Sequence, residues 1–187
     1  MVDSPWRALG IMATNTLGVA ISIAIIGASD GIDARIREIL GKHSDAALKA
    51  AGIDIDTIHT VLTQTRDLLT VLTVIFTAAI VGLVTWISTS QRRRNISLEV
   101  QAGQHRRDLI VELVGESFLL CLLGGVSGII IGLLLCSAIH NFLQQLPMAP
   151  SPAGVVAIFP VTTLLAFATT AAIAAFFATH TDTRPVI

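Results

Sequence analysis

The residues able to do chemistry in this sequence are few, and they cluster. Five arginines fall in two groups, Arg92, Arg93 and Arg94 and then Arg106 and Arg107, and they run into Asp108, Glu112 and Glu116. Dense basic charge of this kind either fixes orientation beside a membrane or docks a cytoplasmic partner, and spacing alone leaves both readings open. His43 and His59 stand sixteen residues apart among acids without a cysteine partner, so solvated histidines are the plainer reading than a metal site. His140 reads as an interfacial residue. No Ser-His-Asp set or carboxylate pair stands out, and catalysis within the chain is not expected. Gly41-Lys42-His43 lacks the upstream glycine and the hydroxyl of a phosphate-binding loop, so no ATP binding in this chain is expected either.

The elements that must position these groups follow from composition. Of 187 residues, 53% are hydrophobic and 13% charged, against about a quarter charged in soluble domains. The main solvent of such a chain is lipid. Net charge is −1, and nothing in it suggests a nucleic-acid partner. Four runs, 8–29, 68–90, 117–139 and 153–179, contain no Asp, Glu, Lys or Arg, and each reaches the roughly 20 residues that a bilayer core of about 30 Å requires. Barrel strands would alternate in polarity, and these runs do not. The expected fold is an all-α integral membrane protein of four transmembrane helices, with an outer helical hairpin and a cytoplasmic amphipathic coupling helix between spans 2 and 3. The opening "MVDSPWR" lacks a basic leader, so the first run is expected to stay in the mature protein.

The divisions are 1–29 (tail and first span), 30–67 (hairpin or stalk), 68–90 (second span), 91–116 (coupling loop and helix), 117–139 (third span), 140–152 (outer loop) and 153–187 (fourth span and tail). The arginine-rich 91–116 segment belongs in the cytoplasm by its charge, which puts both termini there as well. In the hairpin, Ile32, Ile36, Ile39 and Leu40 extend the first span at helical spacing, and Asp56 is placed to cap a second piece bearing Ile58, Val61, Leu62, Leu68 and Leu69. In the coupling segment, Leu109, Ile110, Leu113 and Val114 form an apolar stripe, with Gly103 marking a turn before it. Further on, Gly124, Gly128 and Gly132 repeat every four residues, with Gly125 beside the first. That spacing makes a groove for close helix approach, and the Ala- and Thr-rich fourth span could supply a facing surface. Cys121 and Cys136 are separated by roughly 22 Å of helix at 1.5 Å per residue, too far to pair, and read as packing residues.

The order of residues is more specific than the composition. "QRRRNIS", "QAGQHRRDLI" and "ESFLLCLLGGVSGIIIG" follow one another as in the FtsX-like, MacB-type ABC transporter permeases of the mechanotransmission class, which this chain resembles over about forty residues. Arg92, Arg94, Ile96, Gly103, Arg106, Arg107, Asp108 and Glu116 stand where that family's coupling segment has its pattern. Gly124, Gly125, Gly128 and Gly132 stand where it has its helix-packing glycines. Gln91 and Asn95 replace acids of the pattern, so an ion pair made there with an ATPase would be weaker or differently built. Segment 30–67 stands where the family usually carries a large extracytoplasmic domain, which removes a broad platform for an adaptor.

The resemblance implies a permease subunit in the cell membrane, paired with a second copy as a homodimer or heterodimer. It implies a separate ABC ATPase subunit that binds ATP and Mg, with lipid around the spans and no cofactor in this chain. Its work would be export of a hydrophobic or amphiphilic substrate, or mechanical signalling across the membrane. The alternative within the family is regulation of an extracellular cell-wall hydrolase through the hairpin.

Overall fold

Each apolar run lies within a helix longer than the run itself. A computed structural model describes residues 5–40, 55–91, 106–142, 148 and 150–180, and every element among them is α-helical: α1 (Pro5–Leu40), α2 (Ile55–Gln91), α3 (Arg106–Phe142) and α4 (Pro152–His180). All four are long and apolar enough to cross a membrane. With 36 or 37 residues each, α1, α2 and α3 are about 55 Å long at 1.5 Å per residue, well beyond a hydrocarbon core of about 30 Å. The excess of α1 and α2 lies at one end of the bundle, here the stalk end. The excess of α3 lies at the other, the elbow end.

Local sequence accounts for the helix limits. α1 stops at Leu40, one residue before Gly41. α4 starts with Pro152, whose missing N–H costs nothing in a first turn. Ser151 caps it, its hydroxyl oxygen accepting from the Gly154 N–H at 3.3 Å and its carbonyl from the Val155 N–H at 3.1 Å. Hydroxyls inside the apolar runs turn back on their own helix. Ser22 donates to the Gly18 carbonyl, Thr77 to Thr73, Thr85 to Val81 and Thr162 to Ile158, at 2.6–2.8 Å. Each is thereby spared an unsatisfied donor in lipid.

The helices run up, down, up, down. α1 is the central element and packs against the other three, most extensively against α3, while α4 bridges α2 and α3. Two apolar clusters hold the bundle. Ile11, Val81, Cys121 and Ala166 join all four helices toward the elbow end, and Val19, Ile23 and Cys136 join α1 to α3 toward the stalk end. Both cysteines are free and buried within them. Aromatic rings close the elbow end of α2 and α4, with Trp86 4.8 Å from Phe177 and 5.6 Å from Phe176.

The stalk is joined differently. Asp33 of α1 meets His59 of α2 at 2.9 Å and Asp30 meets Arg66 at 3.3 Å. Of the apolar side chains there, Ile39 and Val61 face outward, 50% and 56% exposed, while Ile36 and Leu62 are half-buried.

Candidate functional site

The third helix carries the features that matter, and its backbone comes very close to α1. A Cβ on Gly124 would stand 2.8 Å from the Met12 carbonyl oxygen and 3.1 Å from Asn15 Cβ. On Gly128 it would stand 2.7 Å from Val19 Cβ and 2.8 Å from the Thr16 carbonyl oxygen, and on Gly132 3.0 Å from Ile23 Cβ and 3.1 Å from Ala20 Cα. The atoms met are mostly backbone and Cβ, which no rotamer change can move aside. Three glycines four apart therefore form a seam that Met12, Asn15, Thr16, Val19, Ala20 and Ile23 fill in order. Lipid supplies no hydrophobic drive between helices, and this intimate van der Waals contact takes its place.

The expectation that the fourth span would face this groove is corrected: α1 fills it. α4 meets the glycine run at Gly125, where a Cβ would lie 2.6 Å from both Phe159 Cε2 and Thr163 Oγ1. Further along α4 the contact is with α2, with Thr169 Oγ1 donating to the Ala78 carbonyl at 3.5 Å and Gly82 lying against Thr169 and Ile173. The physical reason is direction. Gly124, Gly128 and Gly132 lie on one face of α3, and Gly125 is about 100° further round.

Beside the seam lies a buried polar contact. The Asn15 side chain, fully enclosed, donates through Nδ2 to the Cys121 carbonyl of α3. Thr16 Oγ1 donates to the Gly124 carbonyl at 3.0 Å and is 3.0 Å from the Ser127 hydroxyl. Glycine makes these bonds available, because only without a side chain do the α3 carbonyls come within reach of α1. The steric seam and the polar contact are one device that fixes the axial register of the two helices.

Toward the elbow end, α3 continues without interruption to Arg106. Arg106 and Arg107 are its first two residues, and Asp108 follows in the first turn, exposed, where an acid is favoured by the helix dipole. Val111 is 65% exposed, Gly115 has nothing among the described residues within 4 Å of a would-be Cβ, and Glu116 is half-buried beside buried Ser117. The amphipathic stretch thus forms the first turns of the helix that carries the seam. Arg92, Arg94, Ile96 and Gly103 lie outside the described residues.

Comparison with known proteins decides the family. The family described as FtsX-like permease C-terminal matches residues 68–181, more than half of the chain. The chain belongs to the FtsX-like permease family. It is also similar to three macrolide export ATP-binding/permease proteins named MacB. The one from Aeromonas hydrophila is 27% identical over 154 residues, covering 78% of this chain and 23% of that protein. Those from Agrobacterium fabrum and Bordetella avium are each 30% identical, over 59% and 49% of this chain and 17% and 16% of theirs. The FtsX-like chain thus spans less than a quarter of the length of these relatives. No solved structure gives a significant match. The family and the four apolar helices together make this a multi-pass membrane protein.

Two groups of residues escaped the sequence reading. Asn15 and Thr16 passed as ordinary polar residues of a span, although an asparagine in a 22-residue uncharged run is a signal of helix pairing. Asp30 and Arg66 stand at the ends of two apolar runs, and that position is the cue to a pairing.

Proposed function

We propose that this chain is the membrane subunit of an ABC transporter of the mechanotransmission type. A separate ATPase binds and hydrolyses ATP with Mg, and the 92–107 elbow, in the cytoplasm with both termini, receives its motion. The observation that carries the reading is the unbroken α3 helix from Arg106 through Gly132, keyed to α1 along the glycine seam. A push at Arg106 travels along a rigid rod and reaches α1 as an axial force, because the close-packed seam leaves no room to slip. α1 then delivers it to the stalk.

Arg92, Arg94, Arg106, Arg107 and Asp108 make the contact with the ATPase. Two copies of the chain supply eight spans over two ATPase subunits. The spans carry no Asp, Glu, Lys or Arg within the four apolar runs, which favours a hydrophobic or amphiphilic cargo over an ion or sugar. The test is co-expression with the cognate ATPase in mild detergent. A stable, ATP-hydrolysing complex is expected, and the double variant Arg106→Glu/Arg107→Glu should lose it. Intact assembly and hydrolysis in that variant would remove the docking role.

A second reading, regulation of an extracellular cell-wall hydrolase, is favoured by the exposed Ile39, Ile58 and Val61 on the stalk, an apolar face in a region that would lie in water. Deleting residues 41–54 separates the two: impaired wall hydrolysis with intact efflux supports regulation, and the reverse supports export.

A further inference from the structure

At the stalk end one carboxylate holds three helices. Asp30 sits where the apolar run of α1 ends, its side chain 21% exposed. Oδ1 receives Arg66 Nη1 of α2 at 3.3 Å, and Oδ2 accepts the backbone N–H of Ser151 at 2.9 Å. Ser151 is the cap of α4, so the carboxylate lies against the positive end of that helix dipole. Arg66 is held a second time by Asp67 at 3.0 Å, which fixes the fork that faces Asp30. An exposed ion pair adds little, because water competes for both partners. This one is half-buried, and each oxygen serves a different helix.

We propose that Asp30 is a positioning residue, a clasp that fixes the start of α4 and the root of the α2 stalk to α1. The seam ties α1 to α3 in the middle of the bundle, and the clasp ties α1 to α2 and α4 at its stalk end. Motion entering through α3 therefore reaches all of the stalk end through α1. The source of that motion rests on the permease reading, but the clasp itself is a property of this chain alone.

The test is a distance measurement on the protein by itself in nanodiscs, with the labelled chain diluted in unlabelled chain so that only distances within one copy are read. Spin labels are placed at exposed Gln64 on α2 and Val156 on α4, and Cys121 and Cys136, 0% and 2% exposed, lie out of the label's reach. The parent should give one narrow distance distribution. Asp30→Ala and Arg66→Ala should each broaden it or add a second population, and Arg66→Lys, which keeps the charge, should restore the narrow one. If Asp30→Ala does not fold, the two Arg66 variants carry the test. Distributions as narrow in both alanine variants as in the parent would overturn the clasp, as would a parent that is already broad. No ATPase or substrate enters the measurement, so its failure leaves the coupling experiment standing, and failure of coupling leaves the clasp standing.

Discussion

The two ends of α1 hold their neighbours by opposite means. Through its apolar run, α1 meets α3 at glycines, with backbone against backbone and a few buried hydroxyl and amide bonds. Beyond that run it meets α2 through Asp33–His59 and Asp30–Arg66, and leaves Ile32 and Ile39 outward. The difference follows solvent. In lipid, apolar contact between helices brings no hydrophobic gain, so association needs shape and small residues. In water, charge pairs are tolerated but weak, and they hold a geometry better than they stabilise it.

That contrast can be broken experimentally, and the seam should break first. Gly128→Leu drives a side chain into Val19 and the Thr16 backbone, and should cost about 3 kcal/mol or more, read as loss of folded protein or a lowered melting temperature in mild detergent. Wild-type stability in that variant would mean the helices are not so closely packed. Asn15→Ala removes one buried interhelical bond and should cost about 1 kcal/mol by the same melt. Gly115→Ala should do the opposite, raising stability by about 0.5–1 kcal/mol, since a Cβ there meets none of the described residues and glycine weakens the helix. Replacing a glycine thus changes sign within one helix. Smallest of all, His59→Ala in the stalk should cost a few tenths of a kcal/mol by the same melt, since it removes one exposed contact with Asp33.

How far the sequence went depends on the kind of signal. Four helices were legible because lipid imposes a length and an absence of charge that few other structures share. The family was legible because Arg106, Arg107, Asp108 and the glycines stand in a fixed order over forty residues. The partner of the glycine groove was not. Small-residue spacing says that a helix approaches and is silent on which one, and both α1 and α4 offered small side chains. The Asp30 clasp was hidden for a related reason: Ser151 joins it through a backbone N–H, and backbone donors leave no mark in a sequence. The outward-facing Ile39 and Val61 likewise had the periodicity of a buried stripe, yet the stalk helices meet through their charged faces.

The central claim is that α3 acts as one rigid rod between the elbow and the seam. Gly115 lies between them, with nothing among the described residues within 4 Å of a would-be Cβ, so Gly115→Pro interrupts the helix without a clash against those residues, removing one backbone bond and crowding the Val111 carbonyl. The decisive measurement compares Gly115→Pro with Gly115→Ala in the complex with the ATPase, scoring assembly and coupled hydrolysis separately. The rod predicts that both variants assemble and that only the proline variant loses coupling. Full coupling through a proline at this position would contradict it.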